Sequence, residues 1–283
     1  MTTALFIPWF RLTALQVPLP FTESTLDIQP FGVLVAVGVL LGMRVVEWFA
    51  QKHDLDVVLA NEFIGYVVLP GFLCAYFLNA LFYHPEYIAE IFEDPSTLFS
   101  RFFGLSSYGG FIGAVLGALV WKRKRKESLL SYGDATTFAL PFGWLFGRTG
   151  CFVVHDHPGA ITDFPLAVAD YQVGAPPFMP RHDLGFYEVL WSLATVALLW
   201  YLGQKRRPRG FFLVLVPLLY TPIRFFLDFL RATDIGAADR RYSGLTPAQY
   251  ASIVFFVVAS YVLFRIVKRG DPPAEGASAG GAN

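Results

Sequence analysis

Charge is what this sequence has least of. Charged side chains make up 16% of its 283 residues, against about 25% in soluble chains. With 55% hydrophobic and 17% aromatic residues, there is too little polar surface to cover a water-facing globule, which excludes an ordinary soluble domain. Cysteine is almost missing too. Cys74 and Cys151 stand far apart with no CxxC spacing, so a disulfide framework and a cysteine zinc site are both excluded, and the two read as packing residues. Neither sign of charge is in excess, with 22 basic and 22 acidic residues; that balance says nothing about nucleic acid, since what matters is where along the chain the charges fall, and no nucleic-acid partner is expected. Residues 1–30 lack the charged start of a secretory signal, since Arg11 is their only basic residue. Together with Pro8, Pro18 and Pro20 this reads as an interfacial arm. No repeat of fixed period is present.

What the chain does have is long apolar windows. A bilayer core of about 30 Å needs roughly 20 helical residues, and seven windows approach that length: 31–50, 63–83, 107–121, 132–154, 184–203, 211–230 and 246–266. The spacing predicts an all-α polytopic membrane protein, with a membrane domain over 31–267. The second window is expected to kink or break near Pro70-Gly71. The third is only 15 residues long and carries Gly109, Gly110, Gly113 and Gly117. Either its outer end is unwound, or close packing inside a bundle replaces length. The small, polar stretch 268–283 is expected to be a disordered tail.

Orientation follows from the lysine and arginine asymmetry of the loops. One loop set holds Lys52, the run 122–126, the basic residues of 205–209 and those of 265–269, which makes 13; the other set holds 6. The N-terminus is therefore expected outside and the C-terminus in the cytoplasm. KRKRKE at 122–127 reads as a cytoplasmic anchor loop rather than a site for nucleic acid or lipid phosphates.

Arginines inside spans cost several kcal/mol on insertion scales and need a reason to be there. Arg148 and Arg224 both fall in outer halves of their spans. Around Arg224, helical spacing aligns Tyr220, Asp228 and Arg231 on one face. Tyr108, flanked by Gly109 and Gly110, starts the third span at the same depth. One carboxylate, Asp228, cannot neutralise two buried arginines and a third at the rim, so an anion from outside would complete the balance. Guanidinium groups suit a phosphate through forked hydrogen bonds, and in an outer leaflet the abundant phosphate is a phospholipid headgroup. An Arg224–Asp228 pair that only staples helices is the structural alternative. The loop 155–183 carries His155, Asp156, His157, His182 and Asp183. Their spacing signals no complete metal site, and no metal or cofactor is expected. One of the loop histidines is a candidate base.

The stretches SSYGGFIGAVLG at 106–117, PFGWLFGRTGCF at 141–152, RHDLGFYE at 181–188, KRRPRGFF at 205–212, YTPIRFFLDFLRATD at 220–234 and LTPAQ at 245–249 resemble, in that order, motifs of the prolipoprotein diacylglyceryl transferase family. The resemblance covers about residues 30–267. It implies an enzyme of the bacterial cytoplasmic (inner) membrane, with phosphatidylglycerol, a membrane lipid, and the signal peptide and lipobox of an exported prolipoprotein as partners. The implied reaction moves the diacylglyceryl group onto the lipobox cysteine and releases glycerol 1-phosphate. Arg148 falls at the arginine of the family's G-R-x-G-N-F stretch, and Arg224 at that of its Y-G-x-x-R-F-x-x-E-F stretch, where Asp228 replaces Glu and would orient Arg224. Tyr220, Gly150 and Gly159 match family residues, and Asp156 stands where the family has Glu.

The sequence departs from the pattern in several places. The family's His-Gly-Gly on the third span is Tyr108-Gly109-Gly110 here, and both amides of G-R-x-G-N-F-x-N are lost, to Cys151 and Val154. A tyrosine with an ordinary pKa of about 10 is a poor base at neutral pH. Arg148, Arg224 and Tyr108 are the expected catalytic residues. Asp228, Tyr220, Gly109, Gly110, Gly150, Asp156, Gly159 and Arg231 are expected to surround the substrate. The base stays open between His155, His157 and the field of the arginines, with Tyr108 as a hydrogen-bonding partner. The departures also keep open a lipid-binding paralogue without turnover, and a transferase with another acceptor.

Overall fold

The computed structural model describes residues 6–18, 25–83, 85, 88–94, 96, 105–174, 176–236 and 238–269. A short antiparallel hairpin comes first, β1 (Leu15–Pro18) with β2 (Thr25–Ile28), in the register Leu15 to Ile28. Helices follow: α1 (Pro30–Lys52), α2 (Val57–Tyr83), α3 (Ile88–Glu93), α4 (Ser107–Arg125) and α5 (Leu129–Val154). Two small strands, β3 (Pro158–Ile161) and β4 (Arg181–Asp183), pair antiparallel ahead of α6 (Leu184–Leu202). Helix α7 (Phe211–Leu227) runs into a 3-10 turn, Asp228–Leu230, and α8 (Pro247–Arg269) ends the described chain.

Among the described residues six helices are long and apolar enough to cross a membrane: α1, α2, α5, α6, α7 with its 3-10 turn, and α8. Their large apolar side chains point away from the protein, as with Leu40 at 64% and Phe264 at 61% exposure. That pattern suits a lipid solvent and would not suit water. The chain is thus an all-α, multi-pass membrane protein.

The expected window 107–121 is helical as well, but α4 spends its last turn on Lys122 to Arg125, so its apolar part stays short. It starts cleanly at Ser106, whose side chain accepts from Gly109 N, and is not unwound. The expected break at Pro70 is absent, because α2 runs unbroken through it. The second span also starts six residues earlier than expected, at Val57. The arm 1–30 contains strands that its prolines did not suggest. Of the expected tail 268–283, Lys268 and Arg269 continue α8, and the remainder lies outside the described residues.

By compactness the chain divides into two units. One comprises Met1–Val45, Ala139–Lys205 and Phe226–Asp239; the other comprises Val46–Phe138, Arg206–Phe225 and Arg240–Asn283. In the first, α1 and α5 meet backbone to backbone, since a Cβ on Gly38 would lie 2.6 Å from the Gly143 carbonyl oxygen. Asp183 caps α6 by accepting from Phe186 N at 2.9 Å, a donor that the helix leaves unsatisfied. Ile7 bridges Val168, and Leu12 N donates to the Val153 carbonyl at 3.0 Å, tying the N-terminal segment to the end of α5.

In the second unit α4 lies along α2. A Cβ on Gly109, Gly113 or Gly117 would come within 2.7, 2.1 and 1.7 Å of the carbonyl oxygens of Cys74, Pro70 and Tyr66 respectively. Small residues at every fourth position let the two backbones touch. Pro70 has no N–H to return to the Tyr66 carbonyl one turn back, so the group that the proline strips of its helical donor is the one Gly117 covers. Asp134 on α5 accepts from Gly210 N and Leu213 N at 2.5 and 2.8 Å and so closes the start of α7. Thr246 and Gln249 cap α8 reciprocally, as a capping box does.

Gly117→Ala is expected to cost about 1–3 kcal/mol, the usual penalty for forcing atoms into a filled contact. Gly65→Ala on α2, where nothing lies within 4 Å, is expected to be neutral. Thermal unfolding of the two variants in detergent compares them directly.

Candidate functional site

Helical spacing on α5 puts Trp144, Arg148 and Cys151 on one face. Arg148 is 8% exposed, and a buried guanidinium is tolerated only when its charge and hydrogens are met. Its Nε pairs with Glu188 Oε2 of α6 at 2.8 Å, a carboxylate with 1% of its side chain exposed. The Trp144 ring lies 4.9 Å from the guanidinium carbon, and Trp144 Nε1 donates to the same Glu188 oxygen at 3.4 Å. Arg148 Nη1 turns toward His157 Nε2 at 3.2 Å and Cys151 Sγ at 3.7 Å.

His157 hydrogen-bonds through Nδ1 to Asp156 Oδ1. An arginine nitrogen can only donate, so in this contact Nε2 is the acceptor and Nδ1 carries the proton. Burial works against protonation of this ring, but the Cys151 sulfur and the Asp156 carboxylate outweigh it and raise its basicity. Asp156 is held below the ordinary carboxylate range, with burial opposing and His157 and Arg148 prevailing. Cys151, Asp156 and His157 offer three ligand-type atoms within 4.8 Å of one another. Arg148 Nη1 contacts two of them, so the trio belongs to one hydrogen-bonded network.

The loop after α5 is anchored around His155. Its Nδ1 sits 2.6 Å from Asp183 Oδ2, Tyr171 Oη donates to its carbonyl at 3.0 Å, and Trp9 stacks on its ring at 4.4 Å. Burial, then the Asp183 charge, push the Tyr171 phenol up. Gly159 is needed for space, because a Cβ there would lie 2.5 Å from His182 Cβ and 2.8 Å from the Leu230 carbonyl oxygen. Its carbonyl accepts from Arg181 Nη1 at 3.0 Å, and it bridges Arg231. Arg181 pairs with Asp234. Arg231 pairs with Asp239 and, at 3.3 Å, with the fully buried Asp228.

In the other unit the Tyr108 hydroxyl hydrogen-bonds the Ser252 hydroxyl, which itself donates to the Ala248 carbonyl at 2.8 Å. Tyr108 and Tyr220 are both buried and both pack on Phe111, with ring centroids 5.8 and 6.1 Å away. Gly109 and Gly110 lie where α4 meets α2. Arg224 is buried in the last turn of α7, 6% exposed.

The expected residues therefore form two groups, one in each unit. Arg148 and Asp156 meet through His157, and Gly159, Arg231 and Asp228 meet directly. Gly150 allows α5 to pass Phe31, 2.9 Å from a Cβ placed there. Tyr108 and Tyr220 share Phe111. The charge count made from the sequence needs correction: Glu188 neutralises Arg148, and Asp239 joins Asp228 on Arg231, so the arginines are not left in surplus to a single carboxylate. Glu188 was legible as an ionisable residue one turn inside an apolar span, as Arg148 was. Cys151, expected to pack among apolar groups, borders this polar network.

Two outcomes follow for stability. Glu188→Ala takes the buried counter-ion from Arg148 and is expected to cost about 3–5 kcal/mol, with Glu188→Gln costing less; chemical denaturation of the purified protein measures both. The hydrogen bond from Arg181 holds the Asp234 carboxyl below its ordinary value. The stability it adds is complete above the unfolded pKa of about 3.9 and is lost as pH falls through the lower folded value. Asp234→Asn should lose that increment at neutral pH and flatten the acid limb of the stability curve.

A family model described as prolipoprotein diacylglyceryl transferase matches residues 18–265. Proteins named phosphatidylglycerol–prolipoprotein diacylglyceryl transferase are similar along most of the chain. One from Janthinobacterium sp. (strain Marseille) is 31% identical, over 78% of this chain and 80% of its own. One from Bordetella avium is 32% identical, over 76% and 74%. A third, from Nitratidesulfovibrio vulgaris, is 31% identical, over 80% and 82%.

Proposed function

Because the chain belongs to the prolipoprotein diacylglyceryl transferase family, we propose that it transfers the diacylglyceryl group of phosphatidylglycerol to the lipobox cysteine of exported prolipoproteins, releasing glycerol 1-phosphate. The acceptor thiolate attacks the glyceryl carbon, the bond from that carbon to the phosphate oxygen breaks, and the electron pair leaves on the phosphate. Catalysis then consists of holding negative charge on the leaving oxygens and presenting a thiolate.

The observation that carries this reading is the environment of Arg148. Its Nε is fixed by Glu188, while its Nη1 rests on an imidazole nitrogen and a sulfur, neither of them a carboxylate. A phosphate oxygen accepts from a guanidinium more strongly than either, by a charge-assisted bond. Glu188 thus orients the arginine without occupying the edge that would receive the anion. Arg224 is assigned, from its place in the family motif, as a second arginine of the reaction, with Tyr220, Asp228 and Arg231 near it in sequence. Gly109, Gly110, Gly150 and Gly159 serve by letting neighbouring segments pack closely, and Tyr108 acts as a hydrogen-bonding partner. The membrane is the bacterial cytoplasmic one, with the N-terminus and the site facing the outer leaflet, residues 1–30 in the interface and the C-terminus in the cytoplasm.

In cells where this chain is the sole candidate transferase, a lipobox prolipoprotein is expected to gain the mass of one diacylglyceryl group. Arg148→Ala and Arg224→Ala should each reduce the modified fraction by about 10²-fold or more, the loss typical of an oxyanion donor, while still inserting. Full modification in either variant sinks the assignment of that arginine. Unmodified prolipoprotein beside an inserted wild-type chain favours the lipid-binding or altered-acceptor reading.

A further inference from the structure

The proposed transfer requires a group that takes the proton from the acceptor thiol, and the family's third-span histidine is replaced here by Tyr108. We infer that His157, oriented by Asp156, is the general base of this enzyme, an assignment that rests on the transfer reading above.

Geometry separates the candidates. The Tyr108 hydroxyl is engaged with Ser252, and its ring is packed against Phe111 and Phe255. His155 is held by Asp183 and covered by Trp9 and Phe10, with 1% of its side chain exposed. Neither ring can reach an incoming thiol without dismantling the packing around it. His157 keeps 22% of its side chain exposed and has the two features that a base needs. Asp156 fixes the tautomer at Nδ1 and stabilises the imidazolium that would form, and the Nε2 lone pair faces away from the carboxylate.

In the resting protein that lone pair accepts from Arg148 Nη1 at 3.2 Å, the edge assigned above to the lipid phosphate. A phosphate oxygen that takes the Nη1 hydrogen releases Nε2, so headgroup binding and activation of the base are one event. The charged and titratable groups facing His157 are Arg148 and Cys151 from α5, Asp156 from its own loop, and Glu188 from α6 acting through Arg148. The acceptor S–H proton passes to Nε2 as the S–C bond forms and the C–O bond breaks. The phosphate leaves with the electron pair on its own oxygen, hydrogen-bonded to the guanidinium, and the imidazolium then returns its proton to the departing phosphate or to water.

The test uses the purified full chain in micelles with phosphatidylglycerol and a lipobox peptide, comparing wild type, His157→Gln, His157→Gly and Asp156→Asn across pH. At pH 7 His157→Gln should lose about 10²–10⁴ in kcat, the usual worth of a general base, with little change in KM for the lipid. Wild-type kcat should climb as His157 sheds its own proton toward about 9, and the loss in His157→Gln should shrink above the acceptor thiol's own value of about 8.5, where the thiol ionises unaided. Imidazole in solution should restore turnover to His157→Gly, which a misfolded protein could not show, and Asp156→Asn should lose less than His157→Gln. A wild-type rate in His157→Gln at pH 7, a loss that is the same at every pH, or no rescue by imidazole overturns the assignment. Absence of any thioether product with wild type overturns instead the transfer reading on which it rests.

Discussion

The structure around the candidate site depends on keeping one guanidinium inside an apolar helix. Arg148 is met on one side by Glu188 and Trp144 and on the other by His157 and Cys151, and each partner comes from a segment that must be positioned for it. Eight residues at the junction of β4 and α6 supply much of that support. Arg181 ties the strand to Asp234, His182 bonds Tyr187 at 2.7 Å, Asp183 both caps α6 and holds His155, and Glu188 neutralises Arg148. Moving this junction by one turn would leave a buried charge on α5 without its counter-ion, at a cost that few single contacts could offset. The folding requirement and the chemical one coincide, because the carboxylate that makes Arg148 tolerable also aims it.

The second unit meets a different constraint. Between two helices in lipid no hydrophobic force draws the surfaces together, and contact must come from packing. Glycines 109, 113 and 117 achieve this by letting α4 rest on the carbonyls of α2, including the one that Pro70 deprives of its donor. The result fixes the start of α4, where Tyr108 and Ser106 lie, far more firmly than its short apolar length would.

The spans were legible because a bilayer tests length and apolarity directly, so windows of about 20 apolar residues became helices with ends shifted by a few positions. The proline in α2 makes no break, since the helix runs through it, with Gly117 packed against the Tyr66 carbonyl that Pro70 leaves without its helical donor. At the site, the buried arginines stood out as charges in the wrong solvent. Their pairings did not, since Glu188 lies 40 residues from Arg148 and pairing across such a separation leaves no periodic trace. The same holds for Arg181 with Asp234, and for His155 with Asp183 and Trp9. His157 was one of several open histidines in the sequence; only the hydrogen bonds around it distinguish it.

In the proposed reaction a phosphatidylglycerol headgroup leaves as a phosphate while its glyceryl carbon passes to a thiol. The measurement that tests it most directly counts both products of the purified full chain, given phosphatidylglycerol and a lipobox peptide, by mass spectrometry of a single reaction. The account requires diacylglyceryl thioether and glycerol phosphate in equal amounts. Phospholipid retained by the protein with neither product formed, or thioether formed without glycerol phosphate, would contradict it.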